Sequence, residues 1–271
     1  MEGVITCVLA IIGFFVIIDF PDKAKNTWGF LNDKEVDFIV ARIEHDRADA
    51  VPTEFNMREY LRNAADLKVW GFASLFGLCT VTSYAIAYFL PIILQLRMSF
   101  SIAKAQCLVA PPYVAAGIAM YVQAVFADKY RNRWAPIVLN ALLCIIGLPL
   151  LGFTESNAVR YFGVFLATIG ANANVPAILT YQANNIRGQW KRALCSATLV
   201  GFGGIGGIIG STVFRNKDTP TYRPGIITCI LANCLIVVIT AALTFKFWRA
   251  NKRVDRGGKM IEGQPGFKYT L

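Results

Sequence analysis

Apolar residues fall in seven long blocks rather than at the spacing of a single helix face or strand. The blocks are Val4–Phe20, Val69–Leu96, Ala105–Phe126, Trp134–Phe153, Tyr161–Ala183, Ala193–Phe214 and Gly225–Trp248. A bilayer core about 30 Å thick needs roughly 20 apolar residues in helical form. In lipid only helices and closed barrels satisfy their own backbone polar groups, and these blocks lack the alternation of barrel strands. The pattern predicts an all-α integral membrane protein with seven transmembrane helices. The first span lies in 1–20, a linker in 21–68, six further spans in 69–248, and a basic tail in 249–271.

The linker is the one sizeable hydrophilic segment. Asn32 and Asp33 can cap a helix with Glu35 and Asp37 in its first turn. Val36, Ile39, Val40 and Ile43 then recur at helical spacing opposite Asp37, Arg42, Glu44 and Asp46. Such a helix either lies on the membrane surface or the bundle, or simply tethers two halves. Pro52 breaks it, and Glu54–Leu67 forms a second helical stretch leading into the next span. Prolines recur inside the spans at Pro91, Pro111, Pro112, Pro149 and Pro176, where kinked, cavity-lining helices are expected.

Composition sharpens this picture. Apolar residues make up 55% of the 271 and charged residues only 16%, against about a quarter charged in a soluble chain. A soluble enzyme is excluded. The net charge of +10 suggests a nucleic-acid partner until its distribution is considered. If the segments between spans alternate sides, only Arg97, Lys104, Arg160, Arg215, Lys217 and Arg223 of the 27 basic residues fall on one side. That asymmetry is positive-inside topology: N-terminus outside, linker and C-terminus cytoplasmic, no nucleic acid. All seven cysteines lie inside apolar blocks and the single histidine, His45, is in the linker, so neither a disulfide framework nor a metal site is expected. Cofactors are likewise not expected.

Charged residues are nearly absent from the blocks; Asp19 and Lys246 sit at their ends and can snorkel. The uncharged polar residues are therefore the candidates for a pathway. Tyr84 and Tyr88 share a helix face, and Tyr113 follows the Pro111-Pro112 kink. Asn172, Asn174 and Gln182 lie in the fifth block. Hydroxyls and amides near helix breaks suit a small polar organic solute, though each can equally bond between helices. Gly201-Phe202-Gly203-Gly204-Ile205-Gly206 matches the dinucleotide pattern but has no preceding strand. Gly203 with Gly207, and Gly206 with Gly210, instead give the G-x-x-x-G spacing of close helix packing. There is no H-E-x-x-H, no G-x-S-x-G and no pair of intramembrane acids, so no enzyme is expected.

Three stretches together resemble the fungal allantoate permease-like branch of the anion:cation symporters in the major facilitator superfamily. They are Phe20-Pro21-Asp22 with Trp28 and the capped helix; Tyr88-Phe89-Leu90-Pro91 continuing to Val109–Tyr113 and the Ala127–Arg133 loop; and Tyr181–Asn185 through Lys191-Arg192 to Pro220–Gly225. The resemblance implies the sixth to twelfth spans of a twelve-span transporter, the last six forming its C-terminal bundle. It also implies proton-driven import of small organic anions, vitamins or nitrogen compounds at the plasma membrane, by alternating access. Asp128 and Lys129 resemble the superfamily's D-[RK] gating loop. Arg131 stands where glycine is usual, and Arg131 and Arg133 are free to contact acidic lipid or the loop at Arg187. Residues important for substrate and protons would lie largely in the missing N-terminal bundle, supplied in cis or in trans.

The apolar run starts directly after Met1-Glu2-Gly3, with no basic n-region and no A-x-A-like site, which is the expectation for an incomplete gene model or a truncated product. Two other readings share the pattern. A seven-span receptor has the same topology, but D-R-Y, N-P-x-x-Y and outer-loop cysteines are lacking. A truncated partner of full-length relatives would assemble without transporting.

Overall fold

The computed structural model describes residues 2–18, 30–47, 54, 56–98, 101–215, 218, 222–258, 260–262 and 266–271. Asp19, Phe20–Asp22, Trp28, Pro52, Lys217 and Pro220 lie outside the described residues. Regular structure among the described residues is helical throughout. The chain divides into two compact units, Met1–Phe55 with Arg187–Gln189 and Asn56–Ile186 with Trp190–Leu271.

In the first unit, α1 (Glu2–Val16) is apolar on every side, and Val4, Leu9 and Phe14 are exposed. Its 15 residues rise about 22 Å, short of a bilayer core over the described part of the first block. The second helix, α2 (Asp33–Arg47), opens with half a capping box: the Asn32 amide donates to the Glu35 carboxylate at 2.9 Å. Val36, Ile39, Val40 and Ile43 are its half-buried stripe, as their spacing predicts.

The second unit begins with the short α3 (Met57–Ala64), whose Tyr60 and Ala64 pack on the bundle core. Six long helices follow: α4 (Leu67–Met98), α5 (Ile102–Tyr130), α6 (Trp134–Phe153), α7 (Asn157–Asn185), α8 (Gln189–Val213) and α9 (Arg223–Asp255). Each is long and apolar enough to cross a membrane. Most outrun the apolar blocks because a helix continues past the hydrocarbon into water on polar residues. The starts of α4, α6 and α8 and the ends of α5, α7 and α9 gather at one end of the bundle, together with residues 266–271. There the Arg133 amide donates to the terminal carboxylate of Leu271, Asn185 Nδ2 to the Thr270 carbonyl at 3.0 Å, and Asn251 exchanges two 2.8 Å bonds with the Tyr269 backbone.

The helices form two rows, α5–α7–α6 and α8–α4–α9, with α7 against α4 at the centre. The pair α6–α7 is in backbone contact because Gly147 faces Gly163: a Cβ on Gly163 would lie 2.8 Å from the Gly147 carbonyl oxygen. The five internal prolines sit within continuous helices. Each leaves the carbonyl four residues earlier without its helical donor. For Pro112 that carbonyl is Leu108, and Tyr161 Oη donates to it from α7 at 3.1 Å. Tyr161→Phe is therefore expected to cost about 1 kcal/mol, near the upper end for intramembrane hydrogen bonds. A thermal midpoint unchanged in detergent would show that the bond contributes nothing.

Two apolar cores lie one above the other. One is built around Leu90, Leu148, Val164 and Ile226, the other around Phe72, Ile178, Tyr181 and Phe247. Between them lies a thin polar layer from four of the helices: Thr80, Thr82 and Ser83 on α4, Asn140 on α6, Asn174 on α7 and Asn233 on α9.

Candidate functional site

The polar layer is built from donors that have few choices in a hydrocarbon core. Asn233 Nδ2 donates to Thr82 Oγ1 at 3.0 Å and to the Cys229 carbonyl at 2.8 Å. Gln123 and Asn140 exchange two amide bonds of 2.8 Å, tying α5 to α6. Ser83 Oγ donates to the Ala171 carbonyl at 3.0 Å, fixing α4 against α7. Asn174 is the exception: 1% exposed, with neither amide atom paired among the described residues.

The Ser83–Ala171 bond sets Tyr84 and Asn172 at one height on adjacent helices. Tyr84 is 43% exposed and Tyr88 56%, and their rings stack with centroids 5.9 Å apart. The Tyr84 ring rests on Gly207, where a Cβ would meet it at 3.2 Å. On the other side Tyr113, partly buried, faces the Asn172 side chain, whose Nδ2 also donates to the Thr168 carbonyl at 2.9 Å. Pro176 leaves the Asn172 carbonyl without its helical donor, and Pro91 does the same for Ala87, beside Tyr88. The two pairs, Tyr84 with Tyr88 and Tyr113 with Asn172, offer three phenols, one amide and two carbonyls of weakened helical pairing, with no charged side chain among them. Such broken-helix carbonyls are tolerated where they line a cavity.

Of the six candidates, Tyr84, Tyr88, Tyr113 and Asn172 reach partly open surface. Asn174 and Gln182 lie inside the bundle, Gln182 with an unpaired Nε2. Asn233, absent from that group, is signalled in sequence only as the lone amide within the apolar run Ile226–Ile239.

The loop between α5 and α6 is tightly turned. Asp128 pairs with Arg133, Arg131 caps α5 in the left-handed conformation (φ 50°), and Lys129 Nζ lies 5.9 Å from the Tyr130 ring centre. Gly203, Gly206, Gly207 and Gly210 line the face of α8 that meets α4 at Phe76, Gly77, Val81 and Tyr84.

The charged residues at the tail end form a network. Lys191 bridges Asp66 at 2.7 Å and Glu262 at 2.8 Å; Lys68 pairs with both acids and reaches Tyr269 Oη at 2.7 Å, and Tyr269 Oη donates to Glu262 at 2.9 Å. Burial opposes the charge on both acids. The hydrogen bond from Lys191, that from the Lys68 amide (to Asp66) or ammonium (to Glu262), and the two positive charges outweigh it, holding Asp66 and Glu262 below their ordinary values. Burial and the neighbouring Glu262 push the Tyr269 phenol up, so it serves as a protonated donor.

Residues 2–211 match the Major Facilitator Superfamily. The chain belongs to that superfamily. Relatives in the superfamily include fungal transporters. The major facilitator-type transporter hxnP of Emericella nidulans is 26% identical over 97% of this chain and 53% of its own length. The high-affinity nicotinic acid transporter of Saccharomyces cerevisiae is 26% identical over 93% of this chain and 47% of its own length. The MFS-type transporter cnsO of Penicillium expansum is 28% identical over 100% of this chain and 57% of its own length. The chain therefore spans about half the length of the relatives it matches. Arg131 holds a positive φ of 50°, a conformation that glycine adopts without strain.

Proposed function

We propose that this chain is the C-terminal bundle of a secondary active transporter, a proton symporter of the allantoate permease-like branch rather than an enzyme. Its cargo is a small organic anion, vitamin or nitrogen compound, moved by alternating access. What supports this reading is membership of the superfamily together with two uncharged hydrogen-bonding pairs near mid-span, Tyr84 with Tyr88 and Tyr113 with Asn172. Relationship to a nicotinic acid transporter adds a heteroaromatic carboxylate as the first compound to test. Stacked phenols suit a flat ring, and phenol and amide donors suit a carboxylate.

A second bundle, in the same polypeptide or from a partner, would close the other side of the cavity. Among the described residues of the six long helices, charged side chains lie toward the helix ends, so the proton carrier belongs to that second bundle. The basic tail end would face the cytoplasm and α1 would start outside, with the plasma membrane as the site of action. In that frame Asp128, Lys129, Arg131 and Arg133 belong to the cytoplasmic gate.

The test is uptake of labelled nicotinic acid by cells expressing the intact transporter with Tyr84→Phe, Tyr88→Phe or Tyr113→Phe at matched surface levels. A lost hydrogen bond to a charged cargo is worth about 1.5–3 kcal/mol, so at least one variant should raise KM about tenfold or more. Normal kinetics in all three would reject the assignment. Asn174→Leu is expected to lower uptake while leaving thermal stability equal or higher, because it removes an unpaired buried amide.

A further inference from the structure

The face of α7 turned away from α4 carries a groove of about 380 Å³, bounded by α5 and α6. On α5 it runs from Gly117 to Ala127, about 15 Å at 1.5 Å per residue, which is half the thickness of a bilayer's hydrocarbon core. Two of its polar side chains are already committed: Gln123 pairs with Asn140, and Thr180 Oγ1 donates to the Pro176 carbonyl at 2.8 Å. Apart from the exposed Tyr121 phenol and Arg133, what remains along its length is hydrocarbon. At the end where α5 stops, however, Arg133 lines the groove, with exposed Lys129 in the last turn of α5 and exposed Arg131 at its cap. Three cations there face two carboxylates, the Asp128 side chain and the terminal carboxylate of Leu271 that accepts from the Arg133 amide, so a net positive charge remains and only side chains are left to attract an anion.

An occupant must therefore be apolar for the depth of one leaflet and anionic at the membrane–water boundary. We propose that the groove is a binding site for one acyl chain of an anionic phospholipid, its phosphate held by Arg133, Lys129 and Arg131. The lipid would brace α5, the bundle's least buried helix, against α6 and α7 next to the Asp128–Arg133 pair. The site lies on the opposite face of α7 from α4 and its Tyr84–Tyr88 pair, so it stands whether or not the substrate reading does.

The experiment places the full chain in phosphatidylcholine vesicles doped with a diazirine-acyl phosphatidylserine or, separately, a diazirine-acyl phosphatidylcholine. Photolabelled peptides are then mapped by mass spectrometry. Phosphatidylserine is expected to label 117–127 several-fold more than phosphatidylcholine does, while lipid-exposed Val238 on α9 shows no preference. Lys129→Gln with Arg131→Gln should erase the preference without lowering the phosphatidylcholine signal. Gly117→Leu, where the added side chain meets open space, should fill the groove and reduce labelling by both lipids to the level at Val238. Equal labelling by the two lipids in the unaltered chain would overturn the anionic site, and full labelling of Gly117→Leu would overturn the groove as its location.

Discussion

Replacing Gly206 by alanine is expected to unseat α8 from α4 and lower the thermal midpoint sharply, although alanine is the better helix former. A Cβ on Gly206 would overlap the Gly77 carbonyl oxygen and the Thr80 hydroxyl. Neither can swing aside: one is helix backbone, and the other is held by its own 2.8 Å bond to that same carbonyl. Relief requires the two helices to separate along their length, which also strips contacts at Gly203 against Phe76 and at Gly210 against the Val81 carbonyl. Overpacking of this kind costs about 1–3 kcal/mol, and Gly206→Leu should exceed that range and prevent recovery of folded protein. The control is in the same helix. Gly201 and Gly204 face open space, so Gly201→Ala and Gly204→Ala should be neutral or gain up to about 1 kcal/mol from helix propensity. Fluorescence size-exclusion thermal scans of the four variants would read this contrast. A Gly206→Ala midpoint at or above that of Gly204→Ala would show that the contact is not limiting.

That contrast also marks how far the sequence could be read. The spacing Gly203/Gly207 and Gly206/Gly210 identifies a packing face, but α8 also has Gly201 and Gly204, and nothing local separates the two sets. The partner glycine, Gly77, lies far away in the chain and has no motif of its own. The six long spans are legible because continuous apolar runs have one stable solution in lipid. Their ends are less so: α9 continues to Asp255 and α7 starts at Asn157, since polar residues in water neither demand nor forbid helix.

The candidate site splits for a related reason. Asn172 and Asn174 are neighbours in sequence, yet about 200° apart around a helix with 3.6 residues per turn. One reaches the Tyr113 face and the other enters the interior. A helix that is apolar on all sides gives no periodic signal for which face meets which neighbour. The prolines were legible as breaks, but their specific consequence, a carbonyl freed at Leu108 and met by Tyr161, depends on the packing of α5 against α7.

Least legible is the tail, which composition reads as a solvated basic segment. Glu262 is its one acid beyond the end of α9, and the structure places it between two lysines distant in sequence. Glu262→Gln is expected to be among the most destabilising single changes outside the helix contacts. Lys68 and Lys191 are only 5% and 11% exposed, and without Glu262 both would depend on Asp66 alone. Removing one partner of a buried pair costs about 3–5 kcal/mol, and the low end applies at a membrane–water boundary. Tyr269 would exchange a charged acceptor for a neutral amide oxygen at the same time, weakening the bond that holds its ring on Phe247, whose ring centre is 4.4 Å away. Asp255→Asn serves as the comparison. Its bond to Lys268 is 2.6 Å, but both side chains are half exposed, so the loss should stay below about 1 kcal/mol. Acid provides an independent readout. Asp66 and Glu262 titrate below their unfolded values, so their contribution is complete above the ordinary carboxylate range and is lost as pH falls through their folded values, below about pH 4. Thermal midpoints of the unaltered chain should fall steeply across that window, and Glu262→Gln should start lower and fall less. Superimposable pH profiles would mean that residues 266–271 are held by Asn251, Asn185 and the aromatic stack, with the charge network contributing nothing.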